Sequence, residues 1–211
     1  MQAITCMQTS SPKSASERLL EAAMEVFARE GITRATTREI AKVAGVNEVT
    51  LFRNFQNKQG LLAAVLESSL LITESLQKSP SLENGATLKE VLTYFARTDF
   101  DRKLKNITLM RVLVGDIHQL GDHEAEVLKR IFQPWKDELN GQLREADRRG
   151  LLRPGVNPLL IVDQLVAMIF IGALRVDVSR WCISYSPDEY VTACVDTIYH
   201  AIISGKERPL P

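Results

Sequence analysis

A chain of 211 residues with 45% hydrophobic and 25% charged side chains has room for one large domain or two small ones. It is apolar enough to bury a core, which excludes wholesale disorder. Its 26 basic and 26 acidic residues cancel, so net charge names no partner and excludes none. The charge is uneven, however: residues 1–66 hold 8 Lys/Arg against 6 Asp/Glu, and the stretch Arg34–Lys58 holds five bases against two acids. A neutral protein can still present a basic face there. Cys6, Cys182 and Cys194 are odd in number and lack CxxC spacing, which argues against a secreted disulfide framework and for a reducing, cytoplasmic setting. Residues 1–15 read as a loose arm, with Met7 as an alternative start to Met1; no charged segment followed by an apolar run precedes Ser16, so no signal peptide is expected. The longest apolar run, Leu165–Leu174, is shorter than the roughly 18–20 residues of a membrane span, so a soluble protein with no membrane partner is expected.

The helical period dominates and the alternation of strands is nearly absent, which predicts an all-α chain. A first helix begins after Ser16, or two residues earlier if Ser14 and Glu17 form a capping box. Leu20, Ala23 and Phe27 share one face, with Leu19 and Val26 beside them, and Gly31 is placed to end the helix in the left-handed conformation. Thr36-Thr37-Arg38-Glu39 starts a short second helix with Thr36 at the N-cap, Ile40, Ala41 and Val43 turned inward, and Gly45 at its end. A third runs from about Asn47 to Phe55, and a fourth starts near Asn57-Lys58 and carries Leu61, Leu62, Val65, Leu66 and Leu70. Ser79-Pro80-Ser81 and Asn84-Gly85 mark a break. Further helices are expected over 86–101, 104–120, 123–149, 157–181 and 187–204, with Asn157-Pro158 a strong start signal. The layout divides into the arm 1–15, a helical module 16–66 and a larger all-helical body 67–211.

Within the module, the short helix, the tight turn at Gly45-Val46 and the next short helix make a helix-turn-helix. Ala41 is small where the helices cross, Gly45 permits positive φ, and Val46 fills the space between helices. Leu51 and Phe55, four apart, pin the third helix to the first, which turns Glu48, Val49, Arg53 and Asn54 outward with Thr50 at the edge. In such motifs the second helix of the pair enters the major groove of DNA. Thr37, at the positive end of its helix, can offer a phosphate its hydroxyl and backbone N–H groups; Arg38 adjoins it, and Lys58 is a second clamp. The same pair also occurs as a plain structural corner, and a basic excess of three over 25 residues does not decide between the two.

The order of features resembles the N-terminal DNA-binding domain of the TetR family of bacterial transcriptional repressors. The resemblance runs through Leu20-Glu21-Ala22-Ala23, Phe27 and Gly31, then Thr36-Thr37-Arg38-Glu39-Ile40-Ala41 and Ala44-Gly45-Val46. It continues through Thr50-Leu51-Phe52, Phe55, Asn57-Lys58 and Gly60-Leu61-Leu62. It covers about fifty residues, and beyond them the chain matches only in length and helix content. It implies a homodimer on a roughly palindromic double-stranded operator, with a C-terminal body that dimerises and often binds a small apolar or amphipathic inducer. By position it places Thr37, Arg38, Thr50 and Lys58 on DNA, with Glu48 and Val49 at the base-reading end. Members commonly carry tyrosine where Phe52 stands; Phe52 cannot donate that hydroxyl to phosphate, and Arg53 supplies charge beside it.

In the body, Leu159–Leu174 is apolar nearly all round and must be buried on more than one side, in the monomer core or between subunits. The resemblance implies a four-helix bundle between subunits. Its residues would be Leu165, Ile169, Gly172 and Ala173, with Ala167 also small, and Val191, Cys194, Ile198 and Ile202 of the last helix as the matching stripe. An inducer pocket would lie among the middle helices, lined from Phe95, Phe100, Met110, Leu113, Ile117, Phe132, Trp135 and Met168, residues that ordinary core packing explains as well. Arg111, Asp116 and His118 are polar groups that could orient a ligand or sit on a solvated face. His118 and His123 are five apart with Gly121 between them, the wrong spacing for two ligands on one helical face, so no metal is expected, and no cofactor. No nucleophile elbow or HExxH appears, so an enzyme is not expected. The remaining rival is a regulator, constitutive or activating, whose body only dimerises or contacts another protein.

Overall fold

The computed structural model describes residues 13–70, 78–116, 118, 121–176 and 184–204. These residues form nine α-helices and no strand, and the chain divides into two compact units, Met1–Val65 and Leu66–Pro211.

In the first unit, α1 (Ala15–Glu30) takes the earlier of its two starts. The Ser14 hydroxyl accepts the Glu17 N–H and the Glu17 carboxylate accepts the Ser14 N–H, satisfying two orphan donors where Ser16 could satisfy one. Its buried stripe is Leu19, Ala22, Ala23, Val26 and Phe27, while Leu20 is only half-buried; the core face lies one position from that expected. Gly31 ends the helix at φ 82°, ψ 160°, with positive φ but outside the left-handed helical basin. In α2 (Thr37–Val43) the Thr36 hydroxyl accepts the Glu39 N–H, but the Glu39 carboxylate turns to Arg29 at 3.3 Å instead of closing the box. Ile40 and Ala41 are buried, whereas Val43, expected inside, is substantially exposed. Gly45, at φ 64°, allows its own N–H to reach the Lys42 carbonyl and the Val46 N–H to reach the Ala41 carbonyl at 3.0 Å, which closes the turn and satisfies the helix end. Arg18 of α1 donates to the Ala44 carbonyl at 3.3 Å and ties the turn to α1. Asn47 caps α3 (Glu48–Phe55) through the Val49 N–H at 2.9 Å. Asn57 accepts the Gly60 N–H at 2.7 Å at the start of α4 (Lys58–Leu70).

In the second unit a 3₁₀ turn at Leu82–Asn84 precedes α5 (Leu88–Lys105), α6 (Ile107–Asp116), α7 (Asp122–Arg148), α8 (Pro158–Val176) and α9 (Pro187–Ile202). Thr87 with Glu90, and Ser186 with Glu189, form complete capping boxes on α5 and α9. The sequence break expected after residue 101 falls instead at Asn106, so α5 runs unbroken through Asp99, Arg102 and Lys103. Helices α5, α8 and α9 pack on one another, and α7 closes the group. At its centre the Phe95 and Trp135 rings lie 4.4 Å apart, among Leu139, Leu165, Ile169 and Ile198. By length and composition α8 could cross a membrane, which the count of its longest apolar run had not suggested; here Val162, Leu165, Ile169, Gly172 and Ala173 are buried in the core of the unit. Leu152 and Ile203 pair in an isolated bridge that fastens the end of α9.

Candidate functional site

The outward face of α3 follows from how the helix is held. Leu51 is fully buried and Phe55 half-buried, and a helix turn of 3.6 residues then points Val49, Phe52 and Arg53 away. Val49 is 69% and Phe52 44% exposed, and Arg53 and Asn54 are exposed. The Asn54 amide donates to the Thr50 carbonyl at 2.7 Å. Thr50 is half-buried at the edge. Arg38 is exposed on α2.

Three expected contacts are committed to the protein itself. The Thr37 hydroxyl donates to Glu48 Oε1 at 2.6 Å, stitching the start of α2 to the start of α3, so neither group is idle in this state. Lys58 departs furthest from its expected role as a clamp. Its Nζ donates to the carbonyls of Ile32, Thr33 and Ala35 at 3.0, 3.1 and 3.0 Å, which uses all three ammonium protons. It holds the α1–α2 connection and positions the reading pair.

The second unit contains a cavity of about 420 Å³ among α5, α6, α7 and α8. Met110, Leu113, Phe132 and Trp135 line it as expected. Phe95 lies instead in the packed core, and the Met168 carbonyl accepts the Tyr190 hydroxyl at 3.0 Å away from the cavity wall. Phe100 lines a separate cavity of about 230 Å³ beside Gly172 and Tyr190. Ile117 lies outside the described residues, as do Trp181 and Cys182. Arg111 and His118 are exposed, Asp116 is half-buried, and none of the three lines the cavity. Unanticipated are Asp99, Arg102 and Lys103 in its wall, with the Lys136–Asp163 pair at 2.6 Å. Asp99 accepts from both Arg102 and Lys103. Burial pushes the Lys103 ammonium below the usual lysine range, against the pull of Asp99. The i, i+3, i+4 spacing of the trio was legible in the sequence, but only for a helix that continues past residue 101.

The eight expected interface residues need correction. Leu165, Ile169, Gly172, Ala173, Val191, Cys194, Ile198 and Ile202 are all buried inside their own unit. A Cβ on Gly172 would lie 2.1 Å from the Tyr190 ring, so the glycine admits a side chain of α9 in the same subunit. The apolar residues α8 leaves outside include Leu159 and Leu160, 50% and 58% exposed, Ile171, 50% exposed, and Val176, with Ala167 also exposed between them.

Residues 19–65 match the family model for bacterial regulatory proteins of the tetR family. The chain belongs to the TetR family. It is accordingly a transcriptional regulator with a helix-turn-helix DNA-binding module. Over 50 residues it is 52% identical to the uncharacterised HTH-type transcriptional regulator YvkB of Bacillus subtilis, a match spanning 24% of this chain and 26% of that one. Along 89% of its length it is 22% identical to 93% of the fatty acid metabolism regulator protein of the same species. The structure of FadR from Bacillus subtilis in complex with stearoyl-CoA has the same fold, with a TM-score of 0.65 at 20% identity over 90% of this chain and 98% of that one. Likeness to this TetR-family fold therefore extends well beyond the module that carries the sequence match.

Proposed function

We propose that this TetR-family chain is a homodimeric repressor that reads a roughly palindromic operator with α3 and releases it when a small molecule enters the body. The observation that carries the reading is the exposed face Val49, Arg53 and Asn54 on a helix pinned by Leu51. Arg38 and Arg53 are the guanidinium groups offered to the phosphates, Thr50 lies at the rim, and Val49 meets base edges. Lys58 and the Thr37–Glu48 bond fix the angle at which α3 is presented.

Two half-sites about 34–36 Å apart need two reading helices held by one dimer. The outer faces of α8 and α9 serve this purpose in our reading, with Leu160, Ala167 and Ile171 forming an apolar seam at near-heptad spacing and Ala193 and Thr197 exposed on α9. The effector acts by preferring a body conformation in which the two α3 helices are wrongly spaced, so its affinity difference between states becomes loss of operator affinity. The 420 Å³ cavity is of a size suited to a small ligand, and a FadR of this fold holds stearoyl-CoA. Such a regulator acts in the cytoplasm.

Selecting fragments of the organism's own genomic DNA on the purified protein tests the reading. The expected outcome is a small set of fragments sharing one inverted repeat, bound by two chains. A bound pool with no common sequence would overturn it.

A further inference from the structure

The cavity wall carries an unbalanced charge. Arg102 and Lys103 both donate to the one Asp99 carboxylate, and with the Lys136–Asp163 pair the wall holds three cations against two anions. The Arg102 side chain is only 7% exposed, and its guanidinium lies 4.8 Å from the centroid of the Phe132 ring. Its Nη2 reaches Asp99, but Nε and Nη1 are buried with no hydrogen-bond partner. A buried donor without an acceptor is destabilising, and more so on a charged group. Arginine cannot relieve this by losing its proton. Apart from the Lys136–Asp163 pair, the rest of the wall is apolar and includes Met110, Leu113, Phe132, Val166 and Phe170. A ligand that completes the site therefore brings an acceptor with negative charge at one end and an apolar body at the other.

We propose that the cavity takes an amphipathic monoanion, a carboxylate on an apolar chain or ring, with its head against Arg102 and its body between Phe132 and Phe170. The carboxylate supplies the missing acceptor and offsets the surplus cation through a charge-assisted contact. The body covers the apolar wall. This inference rests on the reading of the body as an effector domain and names the chemistry that domain recognises.

Calorimetric titration of the full-length protein with octanoate, decanoate and phenylbutyrate, each beside its matched primary alcohol and amine below micelle-forming concentrations, tests it. At least one acid is expected to bind about tenfold or more tightly than its alcohol, with the amine weakest. Arg102→Gln should lower the affinity for that acid about tenfold and leave the alcohol unchanged; Arg102→Lys should retain part of the preference. Equal binding of acid and alcohol by the unaltered protein would overturn the inference without any variant. So would an unchanged preference in a folded Arg102→Gln protein. If an alcohol binds and releases the selected operator while the acids do not, the effector reading survives and the carboxylate is wrong. If no amphiphile of any charge binds, the anion proposal fails, and operator selection still judges DNA reading separately.

Discussion

Single residues in the module divide into those that face outward and those that hold the others still. Arg53 is exposed on α3, and its charge is available to a phosphate. Arg53→Ala should lower the slope of log affinity against log salt by about 1 while leaving the melting temperature unchanged. Lys58, whose Nζ bonds the carbonyls of Ile32, Thr33 and Ala35, should behave in the opposite way. Lys58→Met should cost about 1–3 kcal/mol in urea unfolding and leave the salt slope of the remaining binding as it was. A reduced slope in Lys58→Met at full stability would return the ammonium to the phosphate. Gly60 is constrained by space: a Cβ there would lie 2.2 Å from the Phe55 carbonyl oxygen. Backbone must move to accept it.

At the scale of elements, three helices start on the same device. The carboxylates of Glu17, Glu90 and Glu189 accept the backbone N–H of Ser14, Thr87 and Ser186, each at 2.7 Å. Those backbone bonds, and then the bonds with the same residues' side chains, hold all three carboxyls below their ordinary value. A depressed folded value means the stabilisation is complete above the unfolded value, about 4.3 for glutamate, and is lost as pH falls through the lowered one. Replacing all three by glutamine keeps a capping acceptor and removes the titration. The variant should therefore lose less melting temperature than the parent as pH is lowered through that window. Parallel acid profiles would show that the caps do not govern acid sensitivity. The α5 helix has a second lesson. Its continuation to Asn106 was obscured by Asp101-Arg102-Lys103, charges that look like a solvated helix end. In the folded unit Arg102 and Lys103 are buried on Asp99, and tertiary burial overrides that local appearance.

At the scale of the whole molecule, the dimer reading turns on which face of α8 is free. Ile169 is fully buried and Ile171, two residues on, is half exposed. Ile171→Glu with Leu160→Glu should shift sedimentation from dimer toward monomer and weaken operator binding, with helicity kept, because an apolar seam tolerates no unpaired charge. Ile169→Ala should instead lower stability by about 2–5 kcal/mol. A double glutamate variant that remains dimeric would place the interface elsewhere.

The sequence by itself determined the all-helical class, the start signals at Thr36 and Asn157, the turn at Gly45 and the outward side of α3, and it offered Ser14 as one of two starts for α1. All of these are set by neighbours within a few residues, where capping, positive φ and helical period operate. Helix-turn-helix recognition was legible for the same reason: its residues are nearly contiguous. Only the tertiary structure decided that Lys58 reaches across to the carbonyls of Ile32, Thr33 and Ala35, and that Gly172 admits Tyr190 of its own subunit. It also decided that Asp99, Arg102 and Lys103 meet Phe132 and Phe170 at one cavity. An apolar helix such as α8 carries several faces that could be buried, and which of them stays outside is settled by the helices packed against it.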